Sequence, residues 1–252
     1  MAVAPKPNPE RVPADPPALV KNPAILKERR SAVVQAAVKL FTAQGFHKTT
    51  TRRIAQEAGM GVGSLYEYVR SKEDILFLVT EHIHSQVEER LEATLDRSAD
   101  ARTALVGAVS AYFTVCDDLA DDILLIYQES KSLPPASRRS MLERETRISG
   151  LFEEIIRRGI EEKCFTGSKG QATLVAEDIV VLGHMWTFRR WRMADKFGLA
   201  EYIKLQTDLV LKGLGDAGST SAPETPDPSG AGKKTIKEGS GLENLLTSLR
   251  NF

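Results

Sequence analysis

Apolar residues recur every three or four positions along most of the chain, the spacing that places them on one face of an α-helix. The sequence contains no sustained alternation of apolar and polar residues and no Asn-Gly or Asp-Gly pair of the kind that favours a hairpin turn. Glycine or proline interrupts the helical pattern at Gly45, Gly59, Pro134-Pro135, Gly167-Ser168 and Gly198. The pattern therefore predicts an all-α protein, with helices at about 24–44, 51–58, 62–69, 72–97, 101–117, 120–131, 136–163, 170–193 and 199–213.

The two ends of the chain lack this pattern. Residues 1–22 are rich in proline, which predicts a disordered, solvated arm. Residues 215–252 begin with a stretch rich in Gly, Ser and Pro, which predicts a flexible tail. Within that tail, four leucines at helical spacing leave two alternatives open, a short amphipathic helix or a weakly ordered end: Leu242, Leu245, Leu246 and Leu249.

Two short helices joined by a glycine turn are predicted between residues 51 and 69. Ile54 and Ala58 lie four residues apart and face the same way, while Gly59 allows the sharp turn that follows them. Two short helices at a large angle form a helix-turn-helix, whose second helix fits the major groove of DNA. Ser71-Lys72-Glu73-Asp74 then matches a capping box that opens a long helix. We therefore predict a three-helix DNA-binding domain over 23–71 and a separate helical body over 72–214.

The charge distribution supports this division. Residues 21–72 carry ten Lys and Arg against three acidic residues, a net charge of +7, although the whole chain has a formal net charge of zero. A basic module on an otherwise acidic body is expected of a nucleic-acid reader with a second function.

The N-terminal motif is specific enough to indicate a family. The run TTTRRIAQEAGMGVGSLYEYVRSKEDIL resembles the N-terminal domain of the TetR/AcrR family of bacterial regulators. The resemblance implies that further helices form a body, which dimerises through its last two helices, about 170–193 and 199–213, and encloses a small-molecule cavity. It also implies double-stranded DNA with a palindromic operator as the partner.

The resemblance assigns DNA-contacting roles to individual residues. It places Thr51, Ser64, Tyr68 and Lys72 against phosphates, and Arg52, Val62, Gly63 and Tyr66 near base edges. Hydroxyl and ammonium groups suit phosphate oxygens, and an arginine suits guanine. Glu67 leaves two alternatives open: it accepts a hydrogen bond from a cytosine, or it pairs with Arg70.

The body contains apolar helices interrupted by a few polar groups. We expect a small hydrophobic effector to bind there, and the candidate ligand-binding residues are Tyr112, Phe113, Tyr127, Phe152, Ile156, His184, Met185 and Phe188. The alternative is that each apolar stripe is only core. The segments IYQESKSLPP, LFEEIIRRGIEEKCF and LGHMWTFRRWRM resemble the C-terminal domains of TetR-type regulators of fatty-acid, sterol or branched-acid catabolism, several of which sense acyl-coenzyme A. Arginines after His184 suit phosphates, or alternatively surface ion pairs.

The remaining chemistry argues against other classes of protein. The sequence contains no nucleophile, phosphate-loop or dinucleotide motif, and the spacing of its two cysteines and four histidines does not fit a metal site. We therefore expect no enzyme activity, no cofactor, no metal, no membrane association and a cytoplasmic location. The sequence predicts a homodimeric, ligand-responsive repressor, whose effector tilts the long helix after Ser71; the alternatives are a regulator of efflux or stress genes that senses a drug-like molecule, or an α-helical enzyme.

Overall fold

The computed structural model describes residues 22–215, whose regular secondary structure is helical, with no strand in that range. The helices are α1 (Pro23–Gln44), α2 (Thr51–Glu57), α3 (Val62–Leu65), α4 (Lys72–Thr94), α5 (Ala101–Asp118), α6 (Ala120–Glu129), α7 (Pro135–Glu161), α8 (Lys169–Met193) and α9 (Leu199–Gly213), with a short 3₁₀ turn at Ser130–Ser132. The all-α prediction is confirmed. Apart from Asn22 and Gly215, the predicted arm and tail lie outside the described residues.

The helix starts follow from the capping chemistry of the sequence. The Asn22 side chain accepts a hydrogen bond from the Ala24 amide at 3.0 Å, and Pro23 occupies the first turn of α1, where its missing N–H costs nothing. Gly45, with φ of +84°, ends the helix in a conformation that disfavours other residues. Thr50 caps α2 by accepting from the Arg53 amide at 3.3 Å.

α4 belongs to two hydrophobic cores. Its first turns place Ile75 and Leu76 in a core with α1, α2 and α3, and its later turns place Val87 and Leu91 in the core of the body. Leu125 and Ile126 of α6 complete the N-terminal core. The division predicted at residue 71 is therefore not a gap in the packing, since α4 and α6 connect the DNA-binding module to the body.

α7 is fixed to α4 by a half-buried ionic cluster. The Arg144 guanidinium donates from Nε to Glu81 and from Nη1 to Glu88, each at 2.8 Å. Two carboxylates on one guanidinium give a directional, charge-assisted link between the helices.

Within residues 22–215 no single helix is long and apolar enough to cross a membrane, although the bent pair Ala101–Asp118 and Ala120–Ser132 meets that test together on length and composition.

Candidate DNA-binding surface and effector cavity

α2 and α3 expose most of the side chains predicted to contact DNA. Arg52 and Gly63 are exposed, Val62 and Tyr66 are 37% and 44% exposed, and Thr51 and Ser64 are half-buried. The Thr51 hydroxyl lies 3.2 Å from the Tyr66 hydroxyl, which joins α2 to the residues after α3. The neighbouring Arg53 instead donates to the Gln44 side chain. Arg52 is therefore placed to contact a ligand, while Arg53 is tied to α1.

Tyr68 lies elsewhere than predicted. α3 ends at Leu65, one turn earlier than the predicted end at 69, and residues 66–68 form a turn. The turn carries Tyr68 inward to 6% exposure, and its carbonyl accepts a hydrogen bond from Arg30 Nε at 3.3 Å. The helix predicted to continue to residue 69 is therefore too long by one turn, and a buried ring does not fit the phosphate contact that the resemblance assigns to Tyr68. The predicted pair between Glu67 and Arg70 also does not form within the described part of the chain; the Arg70 amide donates to Asp74 Oδ2 at 2.9 Å.

Lys72, also predicted to contact phosphate, supports the turn before α2. Its ammonium donates to the carbonyl oxygens of Phe46 at 3.0 Å and Thr49 at 3.1 Å, and lies 4.2 Å from the centre of the Phe46 ring. An ammonium has three protons and no acceptor. Most of its hydrogen-bonding capacity is therefore spent on residues 46–49, and its phosphate contact stays a prediction.

A small cavity lies between the helices of the body, with a volume of about 30 Å³. Five helices, α4 to α8, contribute its lining, which is apolar over most of its area and polar at one end: Ile83, His84, Val87, Tyr112, Ile123, Ile126, Tyr127, Glu145, Ile148, Val180 and His184. A volume of this size holds about one water molecule or one small polar group.

The structure brings three of the eight predicted ligand residues to this cavity, namely Tyr112, Tyr127 and His184. Phe152 and Phe188 pack behind them, with ring centres 5.4 Å from Tyr112 and 4.6 Å from Tyr127 respectively. The other three are not cavity-lining residues: Phe113 faces Tyr202 of α9, and Ile156 and Met185 pack in the body core. For these residues the alternative of simple core packing holds.

The polar groups of the cavity form a chain of hydrogen bonds. The Tyr127 hydroxyl lies 2.8 Å from His184 Nδ1 and 3.4 Å from Glu145 Oε1. His184 Nε2 lies 2.9 Å from the Tyr112 hydroxyl, and since a neutral imidazole has one donor and one acceptor nitrogen, one tyrosine donates to His184 and the other accepts from it. The chain thus runs from Tyr112 through His184 and Tyr127 to Glu145.

Burial controls the protonation of these groups. Burial, together with a smaller contribution from the neighbouring His84, lowers the pKa of His184 to about 4. Burial also lowers the pKa of His84 and raises the pKa of Glu145. Both imidazoles are therefore neutral at physiological pH.

His84 and Glu145 are the site residues that the sequence reasoning missed. The spacing of His82 and His84 argues only against a metal pair, because residues two apart on a helix point in different directions. His84 stands one residue after Ile83 and three before Val87, both of which are buried. Its position between them is the feature of the sequence that indicates the inner side of α4. Glu145 has no such signal, because it stands within a strongly charged stretch of α7.

The arginines after His184 have partners on the surface. Arg190 lies 3.3 Å from Asp117, which also accepts from Trp186 Nε1 at 2.8 Å, and Arg189 lies over the Trp191 ring. Elsewhere α8 and α9 share an exposed apolar surface that includes Val181, which is 60% exposed, together with Leu174, Leu205 and Leu209.

A basic helix-turn-helix that shares a long helix with a body enclosing a cavity defines a ligand-responsive transcription regulator. Residues 33–79 match the family model described as "Bacterial regulatory proteins, tetR family", and residues 97–213 match "Tetracyclin repressor-like, C-terminal domain". The chain belongs to the TetR family of bacterial transcription regulators, as the motif predicted.

Individual relatives agree with this assignment. The chain is 33% identical over 189 residues to the HTH-type transcriptional regulator HbdR of Aromatoleum sp. strain CIB, covering 74% of this chain and 80% of that protein. It is 30% identical over 121 residues to the Fatty acid metabolism regulator protein of Bacillus subtilis, covering 48% and 59%. The crystal structure of AibR in complex with isovaleryl coenzyme A and operator DNA has the same fold, with a TM-score of 0.60 at 16% identity over 72% of this chain and 97% of that one.

Proposed function

We propose that this chain is a homodimeric repressor of genes for lipid or acyl-CoA catabolism, which holds a palindromic operator and is released by an acyl-CoA-type effector. The observation that carries the proposal is the cavity, whose apolar walls suit an acyl group and whose lining also carries a few placed polar groups. The name of the Bacillus subtilis relative, a fatty acid metabolism regulator, supports the choice of effector class. Isovaleryl coenzyme A bound to AibR, a protein of the same fold, supports it further.

The cavity volume implies how the effector acts. At about 30 Å³ the cavity is far smaller than an acyl group, so the helices that line it must separate when the effector enters. α4 and α6 line the cavity and also complete the core of the DNA-binding module. The effector therefore favours a conformation in which α4 is tilted and the recognition helices are displaced, and it releases DNA because it binds that conformation more tightly.

On the DNA, α3 and the residues after it enter the major groove. Arg52, Val62, Gly63 and Tyr66 approach base edges, and Thr51 and Ser64 contact phosphates. Their exposure on one side of the module supports these roles. The burial of the Tyr68 ring removes it from the proposal.

The effector is tested by release of operator DNA. An operator is first selected from random duplexes with the full chain, and the complex is then titrated with butyryl-, octanoyl-, palmitoyl- and benzoyl-CoA. Coenzyme A and the free acids serve as controls. We expect at least one thioester, and neither of its halves, to release the DNA; release by none of the thioesters, or release by unrelated hydrophobic drugs instead, would overturn the proposed effector class.

The dimer is proposed to form through the exposed apolar surface of α8 and α9, as the family resemblance implies. Leu209 is 61% exposed on this surface, whereas Leu142 of α7 is 50% exposed elsewhere. In sedimentation experiments we expect Leu209→Lys to shift the protein to monomers and Leu142→Lys to leave the dimer intact. Equal sedimentation of both variants would place the interface elsewhere.

A further inference from the structure

One nitrogen in the cavity lining has no partner. His84 is 6% exposed, and its Nδ1 lies 2.8 Å from the Thr80 carbonyl oxygen of the same helix. A carbonyl only accepts, so Nδ1 carries the proton and Nε2 is left as an acceptor. No hydrogen-bond donor for Nε2 is found among residues 22–215, and His84 is part of the cavity wall.

The other polar groups at this end of the cavity are already bonded to one another. His184 bonds to both tyrosines, and the Tyr127 hydroxyl also lies 3.4 Å from Glu145 Oε1. What His84 offers to an incoming molecule is therefore an acceptor, Nε2, that no described residue occupies. A ligand carbonyl, which also only accepts, does not complement this nitrogen.

We propose that the effector carries a hydroxyl at the buried end of its acyl group, and that this hydroxyl donates a hydrogen bond to Nε2 of His84. The inference rests on the proposed function, which supplies the acyl-CoA character of the effector. It adds the chemical class of the acyl group, which is a hydroxyacyl or hydroxyaryl group. The cavity already has room for one group of this size beside His84. A neutral hydroxyl suits a site with apolar walls better than a charged donor, whose desolvation costs far more.

The proposal predicts a preference between matched ligands. A ligand without the hydroxyl leaves a buried acceptor without a partner, whereas the hydroxylated ligand satisfies it. We expect the hydroxylated member of each pair to bind the wild-type chain about tenfold to a hundredfold more tightly. The pairs are hexanoyl-CoA with ω-hydroxyhexanoyl-CoA, and benzoyl-CoA with its meta- and para-hydroxy forms, all measured by calorimetry on the full chain.

Variants test whether His84 carries the preference. In His84→Leu the ratio between the hydroxylated and the plain ligand should fall to about one, while His84→Gln, which keeps an acceptor, should retain part of it. His82→Leu is the matched control, because His82 lies on the same helix and bonds to Gln86 outside the cavity lining. If His84→Leu fails to fold, as thermal melting would reveal, the glutamine variant and the wild-type ligand pairs still decide.

The outcomes separate this inference from the proposed function. Equal affinity of wild type for both members of every pair would overturn the inference and leave an acyl-CoA effector standing. Failure of all these thioesters to bind would overturn both. A preference that persists in His84→Leu would assign the hydroxyl to another group and overturn the role of His84.

Discussion

Gly183 is a position where the structure predicts little tolerance for a single added methyl group. It lies in α8 beside His184, where α8 crosses α5. A Cβ at this position would lie 2.6 Å from Cε1 of Tyr112 and 3.0 Å from Sγ of Cys116. Carbon atoms in contact are normally about 3.5–4.0 Å apart. Gly183→Ala therefore forces the ring of Tyr112 to move.

The ring has little freedom to do so. Tyr112 is 1% exposed, its hydroxyl is held by His184, and its ring packs on Phe152. Overpacking of such a site costs about 1–3 kcal/mol. Replacing glycine by alanine inside a helix gains about 1 kcal/mol, so the net change for Gly183→Ala is a loss of about 1 kcal/mol.

A matched glycine isolates the steric contribution. Gly107 lies inside α5 with nothing within 4 Å of a built Cβ, so Gly107→Ala should gain the helix-propensity contribution alone. We expect urea unfolding to separate the two variants by about 1–3 kcal/mol, and thermal melting to separate them by several degrees. Equal stabilisation by both substitutions would show that Tyr112 yields freely, and would refute the account of a rigid cavity wall.

Three further predictions concern other parts of the chain. Arg52→Ala should weaken specific operator binding by about 1–3 kcal/mol and relax sequence preference in a mobility-shift competition, whereas Arg53→Ala, which is tied to α1, should retain the preference. Thr50→Ala removes the cap of α2 and should cost about 1 kcal/mol in urea unfolding, whereas Thr114→Ala inside α5 should cost little; equal losses would contradict the capping role. His184 has a folded pKa of about 4 against an ordinary 6.5, so the unfolded chain binds more protons between these values, and stability should be lost as pH falls through this window. His184→Gln should reduce that slope by up to about 1.4 kcal/mol per pH unit, and an unchanged slope would contradict the buried neutral imidazole.

The features that local chemistry determines were predictable from the sequence. Ser71 caps the long helix that its capping box was expected to open, and Gly45 and Gly59 have the positive φ that their turns require. The capping hydroxyl and the glycine each act within a few residues of the chain. Such signals are present in the sequence whatever the tertiary packing.

The features that depend on tertiary packing were not predictable from the sequence. Tyr68 is buried because α3 stops at Leu65, and the length of a one-turn helix is set by its neighbours rather than by its own periodicity. Phe113 and Tyr112 are adjacent in α5, yet only Tyr112 lines the cavity, because the rotation of α5 against α8 and α9 decides which side faces it. A stripe of apolar residues identifies an inner face of a helix but does not separate core from cavity.

The contacts of the turn at residues 46–49 explain how a small displacement in the body reaches the DNA-binding surface. α4 lines the cavity with His84 and holds this turn through Lys72, near the start of the same helix. α6 lines the cavity with Tyr127 and, two residues later, places Glu129 Oε2 at 3.4 Å from His47 Nε2 in the same turn. Two helices that must separate to admit an effector thus hold one turn from two sides, and α2 begins immediately after it. Both contacts converge on this turn. If they persist when α4 and α6 separate, the turn must move, and α2 must move with it. This is the coupling that an operator-releasing effector requires.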